Sequence, residues 1–141
     1  MIHEEICTYE VCKLAKEKGF PQEFDYAHFK SKWNYYNHKG ELNGDLGDIL
    51  KLRIKHKPVP EDMKPIAAPT QSLLQRWLRE ERGIHIAVFP NMANSFEFDY
   101  IVYTKGDMFW NPVYTAHSDF AAYELALEDA LKYALKELIR L

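Results

Sequence analysis

The stretch from Pro69 to Thr104 constrains the fold more than any other part of this chain. Thr70 precedes a run in which Leu73, Leu74, Trp77 and Leu78 recur on one side and Arg76, Arg79, Glu80 and Arg82 on the other. That spacing predicts an amphipathic helix with Trp77 buried on its apolar face. Thr70 is its N-cap, because a threonine hydroxyl can accept a bond from an orphan N–H of the first turn. Gly83 is suited to end the helix, since glycine enters the left-handed region without a Cβ penalty. Ile84 to Phe89 follows with no linker, and Ile84, Ile86 and Val88 alternate as in a half-buried strand. Phe96 to Thr104 repeats the pattern, with Phe96, Phe98, Tyr100 and Val102 set against Glu97 and Asp99. The short connection from Pro90 to Ser95 makes the two strands an antiparallel hairpin.

The remaining segments fit around this unit. Thr8 to Lys18 predicts a first helix with Val11, Leu14 and Ala15 inside, stopped by Gly19 with Phe20 folding back on the last turn. Residues 21–31 read as irregular, and Lys32 to Tyr36 as a short aromatic strand. Asn37 to Gly40 is a turn, and Glu41 and Leu42 begin a returning strand. Ile49 to Lys55 alternates Leu50, Leu52 and Ile54 with Lys51, Arg53 and Lys55, which predicts a strand with a basic outer face. Pro58 to Pro69 reads as an extended connector and a possible internal boundary within one domain spanning 1–141. Met108 to Thr115 predicts a third strand, placed on a sheet edge by Pro112. Asp119 to Arg140 predicts a long closing helix capped by Ser118 or Asp119, with Phe120, Tyr123, Leu127, Leu131, Ala134 and Leu138 on its inner stripe. The fold class is therefore α+β, an antiparallel sheet packed against amphipathic helices with a long C-terminal helix.

Composition limits the function classes. A 47% hydrophobic, 14% aromatic chain can fill a core, and its net charge of −3 argues against general nucleic-acid binding. No run of apolar residues is long enough to span a membrane, so no membrane partner and a cytoplasmic location are expected. Cys7 and Cys12 match neither zinc nor redox spacing, and no metal site or cofactor is expected.

Motif by motif, catalysis finds little support. His117-Ser118-Asp119 holds the residue types of a hydrolase triad, but adjacent residues cannot adopt its geometry. Gly40, Gly44 and Gly47 fit no phosphate-loop fingerprint, and Asn43 to Asp48 lacks the alternating oxygens of a calcium loop. Two surfaces stand out. Lys32, Tyr35, Tyr36, His38 and Lys39 interleave rings with cations, a pattern that can stack a base while neutralising phosphate. Arg76, Arg79 and Arg82 sit at three-residue steps on one helix and could meet an anionic partner. The plain alternatives are an edge strand guarded by lysines and a solvated helix face.

The stretch Ala68-Pro69-Thr70-Gln71-Ser72-Leu73-Leu74-Gln75-Arg76-Trp77-Leu78-Arg79-Glu80 resembles a signature of small uncharacterised proteins from phages and mobile elements of gut Bacteroidetes. Three further segments are similar: Thr8 to Phe20, Gly83-Ile84-His85-Ile86, and Tyr123 to Leu131. The resemblance implies a shared fold and provenance, and no activity or site residues. The reading that results is a non-catalytic phage- or prophage-encoded protein that binds a protein partner or a small anionic ligand. The rival is a nucleic-acid-binding protein or metal-independent nuclease, since a helix–three-strand–helix order also occurs in double-stranded-RNA-binding domains.

Overall fold

The computed structural model describes residues 4–91 and 96–140, without the side chains of 117–119. It is mixed α+β, with antiparallel strand pairing throughout the described residues. Two compact units share the chain: residues 8–69 form one, and the segment through Cys7 together with Thr70 onward forms the other.

In the unit of residues 8–69, α1 (Tyr9–Glu17) starts at Thr8, whose hydroxyl accepts from Val11 N at 3.4 Å. Gly19 takes φ +98°, and Phe20 N returns to Ala15 O at 2.9 Å, which buries the Phe20 ring over the last turn. β1 (Phe24–Asp25) pairs with β2 (Lys30–Ser31), and β3 (Asn34–Tyr36) pairs with β4 (Ile66–Ala68). α1 packs on β4, whose three residues are all buried. The connector from Pro58 to Pro69 thus contains a short 3₁₀ turn, Glu61–Met63, and a core strand.

The loop after β3 is organised by Asn37, which is 1% exposed. Its Nδ2 donates to Glu41 Oε1 at 2.8 Å and to Asp45 O at 3.0 Å. Its Oδ1 accepts from the backbone N–H groups of Lys39 and Glu41 at 3.1 and 2.9 Å. One amide therefore satisfies four groups that burial would otherwise leave without water.

α2 (Gly47–Ile54) replaces the strand expected over Ile49–Lys55. The alternation of leucine with lysine and arginine was too short to decide, and these are all good helix formers. Asp45 Oδ1 accepts from Gly47 N at 2.9 Å and sets the first turn. Only Ile49 is buried on this helix.

In the second unit, α3 (Gln71–Arg82) begins at Thr70, whose Oγ1 accepts from Leu73 N at 3.2 Å. Gly83 closes it at φ +65°, and its N–H returns to Leu78 O. β5 (Ile84–Pro90), β6 (Phe98–Lys105) and β7 (Trp110–Phe120) form an antiparallel sheet in that order, which leaves β5 and β7 at its edges. Pro112 sits in edge strand β7, where a missing N–H is tolerated. Val113 is the extra residue at a register shift, because Val102 pairs with Tyr114 and Tyr103 with Pro112. The expected connection over 90–95 lies partly outside the described residues, and Phe96 stands exposed before β6 begins.

α4 (Tyr123–Tyr133) continues as a π-helical turn over Ala134–Leu138. Ala126, Ala130 and Ala134 make a buried stripe of small residues, which lets the helix lie close on β5 and β6. Leu127, Leu131 and Leu135 fill the space beside it, against Ile84, Ile86, Tyr100 and Val102 of the sheet. Two expectations need correction. The helix does not start at Asp119 with a Ser118 or Asp119 cap, because β7 runs on to Phe120 and Ala122 is the N-cap without a side-chain bond. Trp77 is half-buried rather than in the core: Leu74 and Leu78 take the inner face with Gln71, and the Arg82 guanidinium lies 5.4 Å over the indole. Gln71 is buried at a position the sequence made polar because Nε2 donates to Glu124 O and Glu128 Oε2 at 2.9 and 2.8 Å.

Tyr100 is 1% exposed, and its hydroxyl donates to Asp129 Oδ2 at 2.7 Å. Burial first, and then this bond, hold the phenol above its ordinary range. The folded state therefore keeps the proton longer than the unfolded chain. Above the ordinary tyrosine value of about 10, stability should fall with rising pH. Tyr100→Phe should remove that part of the alkaline loss and cost about 0.5–1.5 kcal/mol at neutral pH, read from denaturant melts.

Gly44 tests the Asn37 loop. A Cβ there would lie 2.5 Å from Asn37 Nδ2 and 2.6 Å from Glu41 Cβ. Both groups are held by the hydrogen bonds above and cannot retreat cheaply. Gly44→Ala should destabilise the chain by about 1–3 kcal/mol in a chemical melt.

Candidate functional site

The five residues singled out around β3 do not form one open surface. Lys32 pairs with Glu23 at 3.2 Å and lies 4.9 Å over the Trp33 ring. Tyr35 donates from its hydroxyl to Gly44 O at 3.1 Å and meets Phe24 edge-on at 6.0 Å. Tyr36 packs edge-on against Tyr9 at 5.4 Å. His38 Nε2 stands 3.2 Å from Asp48 Oδ2. Lys39 is exposed, and its backbone N–H is engaged by Asn37. The rings hold the unit together, and Lys32 and His38 have acidic neighbours.

The three arginines of α3 are also separated in role. Arg76 pairs with Glu80 at 3.0 Å, one turn on. Arg79 is half-buried and its charge reaches His85. Arg82 alone lines a cleft.

That cleft, of about 530 Å³, lies within the second unit where α3, the β5–β6 ladder and the end of the last helix converge. Arg82, Lys105 and Arg140 line it from three separate segments, with Asp107 as the one acid and Gly83 and Gly106 as open backbone. The fold brings them together through Gly83. Its left-handed turn points β5 back along the end of α3, and Lys105 N donates to Gly83 O at 2.8 Å. Gly106 tightens the β6–β7 turn, its N–H returning to Phe109 O at 2.9 Å, and a Cβ there would meet Asn111 Nδ2 at 2.5 Å.

Beside the cleft, the sheet face turned away from the helices carries rings. Ile84 and Ile86 are buried, so His85 points to the opposite side. His85 pairs across the ladder with Tyr103, and Lys105 pairs with Trp110. The His85 ring lies 5.6 Å from Trp110 and 6.0 Å from Tyr103. Its Nδ1 is buried and makes no hydrogen bond among the described residues. Burial, and to a lesser degree the charge of Arg79, hold its imidazole below the ordinary range. A neutral ring flanked by two aromatic rings does not repel a cationic neighbour.

The chemistry of the arrangement is charge neutralisation next to stacking. Arginine and lysine hold phosphate or carboxylate by charge-assisted bonds, and the rings offer π-faces to a base. Of these residues only Arg82 stood out in the sequence. Lys105, Arg140, His85, Tyr103 and Trp110 lie far apart in the chain, and each by itself is unremarkable. The usable signal was the Lys105-Gly106-Asp107 turn, because a hairpin there places rings on both strands beside a lysine. Among the described residues no group of three His, Cys, Asp or Glu side chains could hold a metal ion. No described helix is long and apolar enough to cross a membrane. No protein-family model, curated protein or solved structure matches the chain.

The His85 environment has a direct readout. In a proton NMR titration its imidazole should protonate below the ordinary histidine value of about 6.5. Arg79→Gln should raise the midpoint only in part, because burial is the larger cause. A midpoint at or above the ordinary value would remove the neutral-ring argument.

Proposed function

We propose that this chain is a non-catalytic binding protein whose second unit holds a small anionic ligand with a flat ring, a mononucleotide being the simplest example. The observation that carries the reading is the convergence of Arg82, Lys105 and Arg140 on one cleft beside the His85–Tyr103–Trp110 cluster. Three cations compensate a phosphate group, and Trp110, 39% exposed, supplies the stacking partner. The cleft lining offers hydrogen bonds and charge. A phage or mobile-element origin belongs to this reading on the strength of the sequence resemblance.

A small ligand fits better than a long polyanion. The unit that holds the cleft carries seven Lys and Arg against twelve Asp and Glu. A nucleic acid tracking across it would meet those acids, whereas a ligand confined to the cleft meets mainly its three cations. The order α3–β5–β6–β7–α4 is shared with double-stranded-RNA-binding domains, and that is an analogy of fold alone.

Calorimetric titration of purine and pyrimidine mononucleotides, inorganic phosphate and short RNA against the full chain tests the proposal. Nucleotide binding is expected. It should weaken at least about tenfold, or 1.4 kcal/mol, in a Lys105→Ala, Arg140→Ala double variant. Trp110→Ala should weaken nucleotides and leave phosphate unchanged. Tyr36→Ala with Lys39→Ala should change neither. RNA bound far more tightly than mononucleotides would favour the nucleic-acid reading, and no binding by the wild type would overturn the proposal.

A further inference from the structure

We propose that two copies of this chain dock on one another, α2 of one seating its apolar ridge in an acidic recess on the second unit of the other. This surface is separate from the cleft and does not depend on what the cleft binds.

The convex side is α2. Leu50 is 46% exposed and Ile54 70% exposed, one helical turn apart on the same ridge. Lys51 and Lys55 follow the same four-residue step beside them, and Lys57 stands exposed just beyond. Arg53 is turned elsewhere, donating to Ala27 O at 2.8 Å and lying over Phe29. A helix that buries one residue and shows two aliphatic side chains between lysines is half of an interface, since water gains nothing from that arrangement.

The concave side lies wholly in the second unit. A recess of about 180 Å³ is bounded by Glu4, Glu5 and Glu124, with the ring of Tyr123 on its wall and buried Leu127 at its floor. One of its acids is oriented: Glu4 Oε1 accepts from Ser72 Oγ at 2.9 Å. Gln71 Nε2, also on the lining, donates to the backbone carbonyl of Glu124 at 2.9 Å. Tyr123 is fixed edge-on against Phe98 at 5.9 Å.

The two sides complement each other in shape, polarity and charge. A branched aliphatic side chain from Ile54 reaches an apolar floor, and Lys51 and Lys55 meet carboxylates at the rim. A second copy is the occupant these surfaces specify, because the chain carries both halves: residues 8–69 hold eleven Lys and Arg against nine Asp and Glu, and the other unit is strongly acidic. The contact joins unlike surfaces, so it is heterologous, and the pair closes only if both copies can reciprocate. Its small size and exposed charges make it weak and sensitive to salt.

Sedimentation velocity of the full chain over a concentration series reads this out. At low ionic strength the mean mass should rise with concentration, and at high ionic strength it should return to the monomer. Ile54→Lys, at an exposed position, should keep the chain folded by circular dichroism and monomeric. A Lys51→Glu, Lys55→Glu variant and a Glu4→Lys, Glu124→Lys variant should each lose association. An equimolar mixture of the two should recover it, because each supplies the intact half the other needs only if charges pair as stated. A monomer at every concentration in low salt would overturn the proposal. So would association that ignores both salt and Ile54→Lys, or a mixture that fails to associate.

Discussion

The reversal at Gly83 is the constraint on which the second unit depends. A helix must become a strand within one residue there, and the left-handed conformation at φ +65° does it. The position is also tight: a Cβ would stand 3.3 Å from Lys105 Cβ. Because the strand starts immediately, the phase of α3 and the phase of β5 are locked together. Leu74 and Leu78 face inward on the helix, Ile84 and Ile86 face inward on the strand, and His85 is left on the open face. The same residue supplies the carbonyl that holds Lys105, so core packing and cleft assembly follow from one turn.

A different solution governs residues 8–69, where the regular strands are only two or three residues long. Short strands cannot support a layer alone. Aromatic edges and a buried amide do the work that ladder hydrogen bonds do elsewhere. Tyr9 meets Tyr36 and Phe24 meets Tyr35, and Asn37 ties together the loop that carries the chain away from β3. This explains why a pattern of rings and cations that looks like a ligand surface in the sequence becomes scaffold in three dimensions. Tyr35 and Tyr36 turn their rings to Phe24 and Tyr9, and Lys32 pairs with Glu23.

How much could be read beforehand follows the same physics. Elements bounded by local chemistry were legible: the Thr8 and Thr70 caps, the Gly19 and Gly83 stops, the hairpin and the edge placement of Pro112. Elements whose identity depends on distant partners were not. The leucine–lysine alternation of α2 reads as a strand only if a neighbouring strand pairs with it, and among the described residues each strand pairs elsewhere. The cap sequence at Ser118 points to an earlier start for α4, but Phe120 continues a ladder with Phe98, a non-local pairing that overrides it. Periodicity places Trp77 in the core, yet Gln71 takes a place on that face by finding two acceptors on α4. The cleft was invisible for the same reason, its three cations coming from a helix end, a strand end and the chain's last turn.

Charge shows where bulk numbers stop being informative. A net value of −3 suggests a mildly acidic protein that avoids anions. The fold divides that value into a slightly basic unit and a strongly acidic one, and then places three cations together inside the acidic unit. Screening confines each exposed charge to about 8 Å at physiological ionic strength. A ligand in the cleft therefore responds to Arg82, Lys105 and Arg140 far more than to the carboxylates on the outer side of α4. Those carboxylates act on whatever approaches their own face. Local arrangement, and not total charge, sets the field at each face of the unit.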